Sequence, residues 1–551
     1  MKRILSLVLI VSLFLCTSSG LENKSSLKVK NIILMIPDGT SLATVSLARW
    51  IMNYENNRSG VGKLNLDPYL CGTVITHSSN APIGDSAPTT SCYMTGYPSQ
   101  TAFVSTYPPA DPANDIYPVD NSKAYRPLAT VLEAARWTEK KATGLVVTCE
   151  FPHATPADCA AHSYKRDKYE WIAPQMAHNG LDVVIGGGVS CLYPGDERYL
   201  IGKGYSVHKN NIEGMRKDTN TKMWALFGSR TMDYEIDRDP SEQPSLAEMT
   251  GVAIGKLQQS PNGFFLMVEG SRIDHAAHAN DAITMVREML AFDEACKVAL
   301  NFARQDGNTA VVILPDHGNS GISIGIQSNA RYDRMTKSDL FANLSRFKYS
   351  SGELARRIDP ETAANPSDTL FRYTGIRPSR ADLDAISQTA KQQGRRAAWV
   401  NQWRNSHTYI GFTTGGHTAE EVFLAAYHPN GNIPQGVYTN IEINHYLCSL
   451  LGITHSDLDG FTNKYYAPHK EVFPPDKYDC KISVVPGDTT LTVTNRDSKK
   501  QIVIPSYTNL SILKAKPGAR PDTTYNTSVA IYVDATGQFY IDNSLRLRLD
   551  R

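Results

Sequence analysis

The chain has 551 residues, 56 lysines and arginines against 55 aspartates and glutamates, and a hydrophobic content of 41%. This near-neutral balance excludes a surface built broadly for nucleic acid or another polyanion. The length and apolar content suffice for a large buried core, in one elaborated domain or two to three ordinary ones.

In chain order, the first feature is an address. Lys2 and Arg3 precede the apolar run ILSLVLIVSLFLC and the polar stretch TSSG, the layout of a cleaved secretory signal over residues 1–20. The run is short for a membrane span and no comparable run follows. The expectation is therefore an exported protein, periplasmic or extracellular, with no transmembrane segment. Cys16 offers a second reading, lipid anchoring at the cell surface, which the bulky Leu15 before it disfavours. Without Cys16 eight cysteines remain, with no CxxC pair, and a few disulfides beside some buried thiols are expected.

From about residue 30, apolar runs alternate with amphipathic segments. The strand candidates are NIILMIP (31–37), ATGLVVTCE (142–150), DVVIGGG (182–188), FFLMVEG (264–270), AVVILPD (310–316) and EVFLAAYH (421–428). Most are apolar on both faces, as a sheet covered by helices requires. Helical patterns lie between them, at 127–137 and 281–305. This predicts an α/β protein, a mostly parallel sheet with helices on both sides. Residues 318–410 break the rhythm with a long polar insertion carrying charged helical patches, including 379–403, and read as a rim subdomain. After residue 480 the helical period vanishes. TLTVT and QIVIP flank NRDSKK, and VAIYV and QFYI flank DATG, so 480–551 reads as a small β-rich appendage.

The chemistry sits where strands end. Asp38 follows the first strand, and His153 and Thr155 follow the second. Glu269, Asp274, His275 and His278 close the fourth, Asp316 and His317 the fifth, and His417 precedes the last. In a parallel sheet the carboxyl ends of the strands share one edge, where ligand sites form. Singly, each group has an ordinary explanation as a turn, a cap or a core pair. Together they gather acids and imidazoles whose burial demands a partner. Asp274 and His278, four residues apart on one helical face, suit a single metal ion. The stretch GDSAPTTSCYMTG (84–96) adds a serine at a candidate helix start, where the dipole favours an anion.

The ordered set PDG, DSA, HATP with a later arginine, VEGSRID with AAH, PDH and GGHTAEE resembles the alkaline phosphatase family over roughly residues 30–475. The resemblance implies a three-layer α/β/α sandwich holding two zinc ions and one magnesium ion, and hydrolysis of phosphate monoesters. It makes Ser86 the nucleophile that becomes phosphorylated and Arg166, eleven residues after Thr155, the grip on phosphate. It assigns Asp274, His278 and His417 to the first zinc. Asp38, Asp316 and His317 go to the second, and Asp38, Thr155 and Glu269 to magnesium. It also implies a homodimer. Imidazole and carboxylate suit zinc, and an all-oxygen set suits magnesium.

Charge supports a monoester. Three divalent ions bring six positive charges, four carboxylates and an ionised Ser86 remove five, and Arg166 adds one. The two left over match a monoester dianion better than a diester or sulfate ester. His153 and His275 stand where the best-known bacterial members carry Asp and Lys, as in animal-type members. There they orient ligands and phosphate, or open the third site to another divalent ion. A sulfatase of the same superfamily is the rival reading. It fails because Thr90 stands where its C/S-x-P-x-R motif needs arginine. A phosphodiesterase would lack Thr155 and Glu269. A surface protein that has lost catalysis would not keep the serine, the arginine and every ligand position.

Overall fold

Strand β1, Asn31–Ile36, shows how the sheet is built. Ile32, Leu34 and Ile36 enter one core and Ile33 and Met35 the other, so each face is covered by helices. That is why the run is apolar without alternation. In this computed structural model residues 27–551 are described, apart from 58, 328–330, 390, 486 and 516–520. The expected signal segment and Cys16 lie outside them.

The remaining strands of the main sheet are β2 Leu70–Ile75, β3 Ala142–Glu150, β4 Val183–Gly187, β5 Ser206–Lys209, β6 Met223–Phe227, β7 Phe264–Glu269, β8 Thr309–Ile313, β9 Val422–Tyr427 and β10 Gly436–Thr439. Their order across the sheet is β10-β2-β9-β8-β1-β7-β3-β4-β6-β5. Every pairing is parallel except those of β9, which runs against both β8 and β2. On one face lie α2 Ser86–Thr95, α3 Val131–Glu139, α4 Ala154–Ala160 and α8 Asn440–Leu451. The other carries α1 Leu42–Glu55, α5 Leu246–Leu257, α6 Arg272–His278 and α7 Ala282–Asp306. Local signals agree with these elements. Thr130 and Glu133 form a capping box on α3, and Asp281 caps α7 by accepting from Thr284 N.

The stretch 379–403 is not one helix but two, Arg380–Ser387 and Gln393–Asn405, the first started by a Ser379–Asp382 capping box. They and two neighbours, Ser351–Arg357 and Pro366–Thr374, surround a small core of Leu354, Ile358, Leu370, Ile386, Val400 and Trp403, while Lys337–Arg346 joins the main core through Phe341 and Leu344. Trp399 and Trp403 stack on each other, whereas Tyr332 and Arg372 face solvent. C-terminally, five antiparallel strands from Tyr478 to Asn526 follow in sequence order, the TLTVT–QIVIP hairpin among them. The second expected hairpin, Ile531–Val533 with Gln538–Ile541, takes Ala467–Pro468 as its third strand. Val472 and Phe473 enter the same core as Leu491, Ile504 and Phe539, so the β-rich part is stitched to the chain before it.

The disulfides expected from the even count are not present: all eight described cysteines are free, six of them buried. The six buried ones serve as small apolar core residues. Among the described residues no helix is long and apolar enough to cross a membrane.

The rim helices are tied to α7 by a buried ion pair. Arg404 Nη2 lies 2.7 Å from Asp281 Oδ2, with the side chains 2% and 3% exposed. Ser351 N donates to the same carboxylate, and Arg404 Nη1 donates to Tyr349 O. Arg404→Met would leave Asp281 buried without its counter-charge, and is expected to destabilise the protein by about 3–5 kcal/mol in denaturant unfolding. A midpoint equal to the parent's would show that Asp281 is satisfied without the arginine.

Candidate active site

Sheet register decides which side chains meet. Ile36 pairs with Glu269, Met35 with Ile313, and Val147 with Glu269. Asp38 and Asp316, each three residues past a paired position, therefore leave the sheet side by side. Gly39 completes the turn with φ +60°, and its N–H donates to Asp316 Oδ1 at 3.0 Å. His417 reaches this edge because β9 is antiparallel, so the segment before it starts where the other strands end. There His417 pairs with Asn319 in a two-residue ladder beside Asp316 and His317.

The result is a buried accumulation of negative charge. Asp38, Glu269 and Asp316 are 0% exposed and Asp274 5%. Both oxygens of Asp38, Oε1 of Glu269, Oδ2 of Asp316 and the hydroxyl of Thr155 are buried with no hydrogen-bond partner among the described residues. Burial, then the carboxylates of Asp316, Asp274 and Glu269, push Asp38 well above the usual carboxylate range. Burial lifts Glu269 to about 8. Burial opposes the charge of Asp274 too, but His317, His278 and His417 hold it down at about 2. Orphaned carboxylate oxygens facing one another are what cations would fill.

The histidines stand among these oxygens. His317 Nε2 lies 3.3 Å from Asp316 Oδ2 and 3.6 Å from Asp38 Oδ1. His278 Nε2 is 3.4 Å from Asp274 Oδ2, and His417 Nε2 is 3.6 Å from Asp274 Oδ1. The outer nitrogens point at carbonyls: His278 Nδ1 at Gly415 O, His417 Nδ1 at Gly84 O and His317 Nδ1 at Gly318 O, at 2.8, 2.9 and 3.1 Å. Such bonds fix the tautomer that leaves Nε2 free for a metal. Three groups bring ligand atoms within 4.8 Å of one another: Asp274–His278–His417, Asp38–Asp274–His317 and Cys149–His153–Glu269.

Ser86 opens α2 and is 2% exposed, its Oγ 3.2 Å from His317 Nε2. Asp85 holds the N-cap position but makes no cap bond. Its carboxylate instead accepts from Arg166 Nη1 at 2.6 Å. Burial opposes the Asp85 charge, and Arg166 outweighs it and holds the group below its ordinary range. The helix N–H groups thus stay available to an anion beside Ser86. Arg166 Nη2 donates to His153 Nε2 at 3.1 Å. Burial, then Arg166 and His275, depress His153 to about 3, which keeps this imidazole neutral. His275 stands edge-on to it at 5.8 Å.

All twelve candidates thus fall in one neighbourhood at the carboxyl edge of the sheet. A profile of the family described as alkaline phosphatase matches residues 29–453. The chain belongs to the alkaline phosphatase family. Alkaline phosphatase 3 of Bacillus subtilis is 32% identical over 433 residues, 76% of this chain and 87% of that one. The cold-active alkaline phosphatase of a psychrophilic Shewanella superposes with a TM-score of 0.67 at 25% identity, over 76% of this chain and 99% of that one. A histidine-to-aspartate variant of TAB5 alkaline phosphatase, solved with Mg in its M3 site, has a TM-score of 0.53 at 24% identity, over 78% and 99%. Alkaline phosphatases are metal-dependent phosphomonoester hydrolases, and candidate metal positions are present in this member.

Three residues at the site escaped the sequence reading. Asp85 orients Arg166, Asn319 Nδ2 donates to Asp274 Oδ1 at 2.6 Å, and Cys149 Sγ donates to Glu269 Oε2 at 3.6 Å. Asp85 belongs to the quoted stretch GDSAPTTSCYMTG and Asn319 stands two residues after the PDH motif, so adjacency was the available signal. For Cys149, inside an apolar strand, there was none.

Gly39 gives a direct test of this packing. A β-carbon there would overlap Asp274 at a φ that side chains rarely adopt. Gly39→Ala is expected to cut phosphatase activity about a hundredfold by shifting Asp274, with less bound metal in elemental analysis. Parent-like activity and metal content would show that Asp274 has room to move.

Proposed function

We propose that the protein hydrolyses phosphate monoesters through a phosphoserine on Ser86, at a site for two zinc ions and one magnesium ion. The carrying observation is the set of orphaned buried oxygens on Asp38, Thr155, Glu269 and Asp316 around Ser86 and Arg166. Asp274, His278 and His417 would hold one zinc and Asp38, Asp316 and His317 the other. Asp38, Thr155 and Glu269 would hold magnesium. Bound there, divalent cations neutralise the carboxylates, lower the pKa of a nearby hydroxyl or water and polarise phosphoryl oxygens.

The chain's own residues do the rest. Arg166 presents a planar fork pre-aimed by Asp85, matched to two phosphate oxygens. The start of α2 adds its N–H groups. Ser86 Oγ attacks phosphorus as the bond to the departing alcohol breaks, and water then releases inorganic phosphate from the serine. Burial of Ser86 keeps bulk water from the first step. For the third cation, a specific observation favours a second reading. The sulfur of Cys149 and the imidazole of His153 lie beside Glu269, softer donors that suit zinc or a similar ion as well as magnesium.

The same reading includes export through segment 1–20 and a homodimer, supported by the leader's composition and by the family. It also divides the chain into a catalytic unit at 30–475, its rim insertion at 318–410, and the appendage at 480–551. The separate core of the rim helices supports that insertion.

Ser86→Ala is expected to lose on the order of a thousandfold or more in turnover while keeping its metals. The parent, quenched in acid with a radiolabelled monoester, should retain label on Ser86. Near-parent turnover in the variant would remove the covalent step. Arg166→Ala should weaken inhibition by inorganic phosphate roughly ten- to hundredfold, the worth of a charge-assisted bond. Unchanged inhibition would strip Arg166 of its role.

A further inference from the structure

The catalytic groups account for phosphate and say nothing of the alcohol to which it is attached. At the mouth of the site two loops expose large apolar side chains: Ile83 at 50%, Ile116 at 44% and Tyr117 at 37%. Isolated exposed apolar residues need no explanation, but a group of them beside a reaction centre does.

The two loops are locked together and to the site. Ser78 N donates to Ala81 O, and Ile116 N donates to Ser79 O at 2.7 Å, which joins residue 116 to the turn that leads into Ile83. The His77 ring lies 5.2 Å from that of Tyr117 and is buried, with its Nε2 lacking a partner among the described residues. Gly84 follows Ile83 and stands between this loop and the catalytic edge. A β-carbon on it would be 3.7 Å from both His77 N and His317 Cβ. Gly84 O accepts from His417 Nδ1 at 2.9 Å, and Asp85 and Ser86 come next. With an ester's phosphate between Ser86, His417 and Arg166, this lip offers apolar surface to an organic group directed toward it.

We propose that Ile83, Ile116 and Tyr117 form a subsite for the alcohol part of the ester and favour apolar or aromatic groups over small polar ones. The chemistry is plain burial: an apolar group laid on the lip removes apolar surface from water on both sides. None of the three side chains is charged, so the subsite adds selectivity among alcohols without itself altering the charge match that selects the phosphate.

This inference rests on the hydrolase reading, and its test separates the two. Ethyl phosphate and 2-phenylethyl phosphate release alcohols of similar acidity and differ in apolar area. The quantity measured is the ratio of their kcat/KM values with the metal-loaded protein. The parent should prefer the phenylethyl ester. Ile83→Ser and Tyr117→Ser should each lower the ratio about three- to tenfold, whereas Ile201→Ser, an exposed apolar residue on the helix Pro194–Gly202, should not. A ratio unchanged in both lip variants would overturn the subsite and leave the hydrolase standing. Should the parent split neither ester, the hydrolase reading would fail and the subsite with it. Light scattering adds a further outcome: loss of oligomer mass in the lip variants with an unchanged ratio would reject the subsite and assign the patch to contact between copies of the chain.

Discussion

Four carboxylates buried at one edge of one sheet are the constraint on which the rest depends. Asp38, Glu269, Asp274 and Asp316 stand at or just past the ends of β1, β7 and β8 and are all buried. Left without cations, such a set is held together only by the strands and helices that carry it, and each ionisation opposes the next. A fold that spends core space on this arrangement must recover the cost through what it binds. The parallel register of β1, β7 and β8 makes the convergence unavoidable once those residue types stand at those positions. The reversal of β9 brings His417 to the same edge without lengthening the loop.

The histidine bonds divide the labour. Each of His278, His317 and His417 turns Nδ1 toward a backbone carbonyl, so that Nε2 is presented inward by the main chain rather than by a second side chain. Asp85 follows a similar logic. At an N-cap its carboxylate would ordinarily bond the first turn of α2. It bonds Arg166 instead, which at once orients the guanidinium and leaves the helix start unsatisfied beside Ser86. One side chain thus prepares two of the contacts an anion would make.

Most of this edge was legible because a charged residue at the end of an apolar strand has few innocent explanations, and several in one chain have fewer still. The two-sided apolar runs likewise announced the buried strands. What escaped had weaker local signals. β5 and β10 are four-residue strands at the two ends of the sheet, too short to show a period. β2 mixes glycine and threonine into a largely exposed strand. The 379–403 stretch reads as helical without its division being marked, and Ser379–Asp382 starts one helix while a second begins at Gln393. The even cysteine count misled because burial, not pairing, is what those thiols provide. Cys149 matters only through its contact with Glu269 on the neighbouring strand, which no local pattern carries.

Recognition of the ester divides along the same physical line as the fold. In the proposed site charge acts on the phosphoryl group, where the sum of carboxylates, three divalent cations and Arg166 would match a dianion, and that match is indifferent to the alcohol. Apolar area acts on the alcohol, at a lip whose residues carry no charge and whose loops are fastened by backbone bonds at Ser78 and Ser79. Coulombic selection is steep inside a dry site and weak at its mouth, where water screens it. Hydrophobic selection, in contrast, needs only surface that water would otherwise cover. A buried centre with an apolar rim therefore lets one chain be strict about phosphate while grading the groups attached to it, because the two judgements are made by different forces at different depths.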